Sequence, residues 1–432
     1  MVQSAHLTTD ALIFQSRPPC PRLKRFAEIS VFLAGFLCLI VPSGYSYGAA
    51  LLFLGGMYVV VRERGLLPID RYDKYILGAL LIVGLEGVFN WLWHGFDGDL
   101  DKNIRFILAI PIFYLIYRAR PSLHALWLGL VFGVLGACVF ALYQRFSLGL
   151  IRAEGFTNAI QFGNLAMLQG ILCLSGLGWA ATLKKHRRFY ICLLGIAAVA
   201  GIVTSAMSGT RGGWIGLPVI LLVVFFFYRK VFSVRSQLIA LLFLIVGGTY
   251  LVANPQIGVK ERIQEATHQV TLFQEGQVNT SIGLRFEMWR GAYHLVQEKP
   301  LFGWGKKGYQ EGMRTLRDQG EIHRGATAFN HLHNDFIDRL VKHGFIGLFA
   351  LVLLYVFSLR AFSTGRNYRE LPIKSVALTG ILLVYCYIDF GMTQSFLRHN
   401  SGVMVFATYL AVIAGYFKVQ RLSSTQAIKN KA

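Results

Sequence analysis

Charge is scarce in this chain, and negative charge scarcest. Of 432 residues only 15% are charged, and the 22 Asp and Glu face 43 Lys and Arg, for a formal net charge of +21. A soluble domain carries roughly a quarter charged residues, so the deficit excludes an ordinary water-soluble globule. Cysteine is sparse too. Of the six, all but Cys20 fall inside apolar runs. None lies in the long polar segment near the middle, which excludes a disulfide framework there, and no Cys/His cluster has zinc spacing. Also missing are a P-loop, a GxGxxG following a strand and a GxSxG elbow. The sequence therefore gives no sign of ATP hydrolysis or dinucleotide chemistry, and the Gly-rich "LFGWGKKGY" reads as a turn.

What fills the chain is apolar. It is 54% hydrophobic with a mean hydropathy of +0.50. Repeated runs of roughly 17–25 residues are each long enough to span a bilayer. They predict an all-α polytopic membrane protein of about twelve helices, near 26–42, 45–61, 75–94, 104–118, 122–145, 160–183, 189–206, 213–228, 237–254, 344–361, 373–391 and 401–417. The first run follows Arg17, Arg22, Lys24 and Arg25 and reads as a retained signal-anchor, because cleavage near Ala49 would leave the next run too short.

Topology explains the net charge better than nucleic-acid binding does. With both termini inside, the cytoplasmic segments include "RERGLLPIDRYDK", "RARPS", "LKKHRR", "YRKVFSVRSQ" and "RAFSTGRNYRE", all basic. The opposite short loops, "HGFDGDLDKN" and "SGTRGG", are poorer in Lys and Arg, as the positive-inside rule requires. The expected organisation is a cytoplasmic N-terminus (1–25), nine spans (26–254), an outer helical loop (255–343), three spans (344–417) and a cytoplasmic tail (418–432). Long segments translocate largely regardless of charge, so the basic residues of 255–343 do not conflict with an outer position.

Candidate chemistry collects on that outer side. His333 precedes a helical stripe of Phe336, Ile337, Leu340, Val341 and Gly344. A neutral, inward histidine near a helix N-terminus suits a general base; spacing alone fits a hydrogen-bonded structural histidine better. Arg285 falls on an expected apolar stripe of Ile282, Phe286, Trp289, Ala292, Tyr293 and Val296, with Glu287 opposite. A guanidinium there calls for an anion, either a phosphate or an internal carboxylate. Arg211 sits among small residues in "SGTRGGWIG" with no acid nearby. Arg152, Asn158, Gln161 and Asn164 cluster in "IRAEGFTNAIQFGN", where amides and an Arg suit sugar or phosphate and helix capping explains Asn158 equally. Glu86 and Asp389 are ionisable residues within spans, functional or paired with an Arg. Asp97, Asp99 and Asp101 in "DGDLD" lack the glycine and distal acid of an EF-hand loop, so no metal site is expected there.

These residues resemble a known family. His333-Asn334, nine residues, then Gly344-Phe345-Ile346-Gly347 matches the H[NSQ]-x9-G-x-x-[GTY] signature of the O-antigen ligase (WaaL) and polymerase (Wzy) superfamily. "SGTRGGWIG" resembles its outer-face arginine motif, with Ile215 where the pattern has Leu. Arg285, Trp289, Pro300, Gly303 and Gly305 resemble its R-x-x-x-W…P-x-x-G-x-G block, and Gly155, Phe156 and Asn158 its GF-x-N. The resemblance implies an inner-membrane glycosyltransferase that moves a glycan from undecaprenyl diphosphate to lipid A–core at the periplasmic face, with inversion and with no metal, nucleotide or other cofactor. It implies His333 as general base and Arg211 and Arg285 on the diphosphate; Arg152, Asn158, Gln161, Trp289, His331 and Asn334 are the candidate substrate-binding residues beside them. A polymerase shares these motifs. A protein O-glycosyltransferase usually carries a larger soluble C-terminal region. A transporter would show inverted repeats, and none is evident.

Overall fold

The computed structural model describes residues 18–63, 68–210, 212–238, 249, 253 and 259–429. These form α1 (Pro21–Phe36), α2 (Gly44–Glu63), α3 (Arg71–Trp93), α4 (Leu100–Ala119), α5 (Leu123–Leu142), α6 (Ala159–Ser175), α7 (Leu177–Ala180), α8 (Arg187–Met207) and α9 (Leu217–Tyr228). They continue with α10 (Val259–Gln274), α11 (Ser281–Glu298), α12 (Gly305–Asp318), α13 (Asp335–Ser363), α14 (Leu371–Thr393) and α15 (Asn400–Lys429). The fold is helical, as expected, with no strand among the described residues. Among the described residues, eight helical stretches are long and apolar enough to cross a membrane, and the protein is a multi-pass membrane protein. The expected spans near 26–42, 104–118 and 213–228 correspond to α1, α4 and α9, which fall outside that set. α1 and α9 are short, and α4 carries Asp101, Lys102, Arg105 and Arg118. The expected span 237–254 lies almost wholly outside the described residues.

Burial ranks the helices. The most apolar window of Asn400–Thr425 is 94% buried and that of Gly44–Glu63 is 39% buried, so α15 runs through the centre and α2 lies at the periphery. A central helix can carry charge only if the charge is paired. Lys418 Nζ lies 2.9 Å from Asp73 and 3.2 Å from Asp70, and Arg421 lies 2.9 Å from each. The same two acids cap α3: Asp70 accepts from the backbone N–H of Tyr72 and Asp73, and Asp73 Oδ2 accepts from Asp70 N at 2.8 Å. The start of α3 and the end of α15 are thereby fixed at one end of the bundle.

At the other end, Glu86 of α3 pairs with Arg339 and, at 2.8 Å, with His343 Nδ1, both on α13. Glu86 is thus one of the alternatives the sequence left open, an ion-pair partner. Removing one member leaves the others uncompensated in low dielectric. Glu86→Ala is expected to cost about 3–5 kcal/mol, read as a lowered unfolding midpoint of the protein in detergent.

Within the insert, α11 and α12 share an apolar core with the segment that follows and the start of α13, built from Met288, Ala292, Leu295, Tyr309, Met313, Leu316, Ile322, Ala326, Leu332 and Val341. Its buried stripe on α11 differs from the expected one. Glu287 and Met288 point inward while Tyr293 is 63% exposed. The reason is polar: Glu287 Oε2 accepts from His323 N at 2.7 Å, which holds the following turn against α11.

Candidate functional site

The insert returns to the bundle through a backbone splice. Trp304 N donates to Val341 O at 2.9 Å, and Phe345 N donates to Pro300 O at 2.8 Å. This requires close approach at two glycines. A Cβ on Gly303 would lie 2.6 Å from Gly344 N, and one on Gly344 would lie 2.1 Å from Leu301 O. Gly344 has φ 69°, which kinks α13 there. The P-x-x-G-x-G block and the glycine of the His-Asn signature are therefore two halves of one joint.

Ten residues before the kink, the chain turns through "HLHN". Leu332 is fully buried; its N–H donates to Asp338 Oδ1 at 3.1 Å, and its carbonyl accepts from Trp289 Nε1 at 2.8 Å. Asn334 caps α13 by accepting from Phe336 N and Ile337 N at 2.9 and 3.0 Å, and it donates to Met392 O at 3.1 Å. Held on both sides, His333 adopts φ 51°, a left-handed conformation uncommon outside glycine that clusters at functional sites. It therefore lies just before the helix, ahead of the stripe.

His333 Nδ1 is 2.6 Å from Gln394 Oε1. That oxygen only accepts, so Nδ1 carries the proton and Nε2 keeps its lone pair. Gln394 Nε2 in turn contacts His399 Nε2 at 3.3 Å. The His331 ring stacks 4.3 Å from that of His333, and Phe329 closes the other side at 5.3 Å. Burial, then the nearby charge of Arg285, lowers the pKa of His333 to about 4. Burial, then His333, lowers that of His331 to about 3. Burial, then Arg398, lowers that of His399 to about 4. All three rings are neutral at pH 7.

The other candidates map around this turn. Arg211 lies outside the described residues, but a Cβ on its neighbour Gly212 would lie 2.0 Å from Thr393 Oγ1, next to Gln394. Arg152 Nε donates to Ser208 O at 2.7 Å. Asn158 caps α6 through Gln161 N at 3.0 Å, and the buried Gln161 accepts from Ser401 Oγ at 3.2 Å, two residues beyond His399. The start of α6, the end of α8 and the α14–α15 joint thus meet at one patch. In the described structure the side-chain hydrogen bonds of Asn158, Trp289 and Asn334 are to backbone within the protein. The acids of "DGDLD" are engaged as well. Asp99 binds Lys306, Lys102 and Arg398 at 2.9, 3.0 and 2.9 Å, Asp97 accepts from Lys307 N at 2.6 Å, and Asp101 pairs with Arg105 at 3.3 Å. Asp97 and Asp99 thereby clamp the insert to the bundle.

A family model described as O-antigen ligase (Wzy_C) matches residues 196–352, from the end of α8 through the insert to the middle of α13. An O-antigen ligase of Escherichia coli K12 is 27% identical over 241 residues, 55% of this chain and 54% of that protein, so the chain spans about half the length of that relative. Both matches support membership of the O-antigen ligase/polymerase superfamily. A second relative, an uncharacterized protein of Haemophilus influenzae, is 29% identical over 386 residues, 87% of this chain and 94% of its own length. The stretch matched by the O-antigen ligase family holds Arg285, Trp289, His333 and Gly344 and ends before Gln394 and His399. Sequence reasoning missed those last two. Their signal is a polar break, "TQSFLRHN", between two apolar runs, containing a second His-Asn pair at His399-Asn400.

Proposed function

We propose that this protein is an O-antigen ligase of the bacterial inner membrane, with the "HLHN" end of the bundle in the periplasm and both termini in the cytoplasm. The observation that carries the reading is His333: neutral, its Nδ1 proton held by Gln394, its Nε2 left to accept, and Arg285 beside it. The basic loops at the opposite end support the orientation.

In this reading a hydroxyl of lipid A–core gives its proton to His333 Nε2 as its oxygen bonds to the anomeric carbon of the glycan. The bond from that carbon to the diphosphate oxygen breaks on the opposite face, and undecaprenyl diphosphate leaves with the electron pair. The anomeric centre inverts. Arg285, joined by Arg211 as the family resemblance implies, neutralises the departing charge, which is where fixed cations contribute most. Cationic side chains in that role make a divalent ion dispensable.

The test is reconstitution in proteoliposomes with lipid A–core and an undecaprenyl-diphosphate-linked glycan. Transfer to lipid A–core with inversion, at the same rate in EDTA, is the expected result. Growth of the glycan on donor alone, with no transfer, would replace the ligase reading by the polymerase one. Loss of transfer in EDTA restored by a divalent ion would overturn metal independence.

A further inference from the structure

At the end of the bundle opposite the histidine turn, α3 begins and α13 ends. Between them and the turn 364–367 lies a groove of about 220 Å³. Arg71, Tyr72, Tyr75, Arg360, Arg366 and Asn367 line it, and no carboxylate does. Aromatic rings seat two of the cations. The Arg360 guanidinium lies over the Tyr75 ring, 5.5 Å from its centroid, and that of Arg71 lies over Tyr72 at 4.6 Å. Tyr75 in turn meets Phe357 of α13 at 5.4 Å, so the rings tie the two helices together under the charges.

The acids close by in the chain are engaged elsewhere. Asp70 and Asp73 pair with Lys418 and Arg421, and Glu370 accepts from Ser424 Oγ at 2.5 Å. Among the described residues, the guanidiniums of Arg360 and Arg366 have neither a hydrogen bond nor an ion pair. Water satisfies exposed guanidiniums, so their freedom alone marks nothing. Their convergence on an acid-free groove does, because the planar fork of arginine matches phosphate oxygens. An ammonium headgroup would instead meet like charge.

The groove also opens onto apolar surface. Along α3, Tyr75, Ile82, Leu85 and Phe89 follow one another at three-, four- and seven-residue steps, hence on one face, and the last three are exposed. On α13, Phe349, Val352 and Val356 are exposed and lead by the same spacing to Arg360. Both helices are long and apolar enough to cross a membrane. Cations at the end of two such stripes fit a ligand with an anionic head and apolar chains, and a basic pocket between membrane helices is where such headgroups bind.

We propose that this groove binds one anionic phospholipid of the leaflet at this end, its phosphate on Arg360 and Arg366 and its acyl chains along α3 and α13. On the orientation given above, that leaflet is the cytoplasmic one. The site does not depend on the ligase reading.

Full-length protein in a nonionic detergent is titrated with phosphatidylglycerol and, separately, with phosphatidylethanolamine of the same chains, and bound lipid is counted by native mass spectrometry. Phosphatidylglycerol is expected to bind more tightly. Arg360→Ala with Arg366→Ala is expected to weaken it about tenfold and to leave phosphatidylethanolamine unchanged. Arg366→Ala alone, which alters no helix, should weaken it in the same direction by less. The control is Lys184→Ala with Lys185→Ala, which removes two exposed cations from the loop between α7 and α8 and is expected to leave phosphatidylglycerol binding unchanged. In a thermal scan, phosphatidylglycerol should raise the unfolding midpoint of wild type and not that of the arginine double variant. Equal binding of the two lipids overturns the proposal. So does equal weakening by the lysine pair, which would assign the binding to diffuse surface charge. Glycerol phosphate, lacking chains, binding as tightly as phosphatidylglycerol would replace the lipid by a soluble anion and overturn it too.

Discussion

Replacing His333 with alanine is expected to lower kcat/KM for glycan transfer by about 10²–10⁴-fold, with normal insertion and an intact insert. The side chain sits at a turn whose neighbours, Leu332 and Asn334, supply the packing and the cap, so its loss removes a base rather than a structural support. The pH profile gives a second readout. A base must be neutral, so activity is present above its pKa and lost as pH falls through it. Burial and Arg285 lower the pKa of His333 to about 4. The acid limb of kcat/KM, which reports the free enzyme, is therefore expected near pH 4 and not near the ~6.5 of an unperturbed histidine. A bound diphosphate adds negative charge beside the ring and raises its pKa. The limb of kcat, which reports the complex, should accordingly lie at higher pH. Coincident limbs near pH 6.5, or a His333→Ala variant of full activity, would remove His333 from the base role.

Arg285→Ala is expected to lower kcat by about 10²–10³-fold, the usual cost of deleting one fixed donor aimed at developing charge. It should also move the acid limb of kcat/KM upward, because Arg285 is the foremost charge depressing His333. Arg285→Lys separates the two effects. It keeps the positive charge, so the limb stays low, but it lacks the planar two-pronged fork, so the rate recovers only in part. Unchanged kcat in Arg285→Ala, measured at saturating donor, would exclude a role for this residue in leaving-group stabilisation.

Much of this was legible in the sequence, and the illegible part has a physical explanation. Apolar run length found eight helices long and apolar enough to cross a membrane, because a bilayer imposes one length scale on every crossing. It overextended the first run, near 26–42, where α1 ends at Phe36. The stripe on α11 came out rotated because periodicity counts Glu287 as a surface residue, whereas its carboxylate is consumed inside by a backbone N–H. Asn158 carried both a ligand reading and a capping reading, and Asn334 a ligand reading alone. The caps are now visible, because an amide in the residue before a helix bonds first to the N–H groups two and three positions on. Gln394 and His399 escaped notice because their meaning lies across space: Gln394 is 61 positions from the histidine it orients. The acids of "DGDLD" have lysine and arginine partners on the insert and at the α14–α15 joint, which could not be read from local spacing.

The splice at Gly303 and Gly344 also bears on how such a protein can diversify. It anchors residues 300–304 to 341–346, below both α12 and the histidine turn. His333 is held from that anchor and from Asn334, while residues 305–330 form an excursion that leaves and returns. On the ligase reading, a chimera that exchanges residues 305–328 is expected to keep the splice and the His333–Gln394 contact, so that any change in glycan preference it shows is assigned to the excursion.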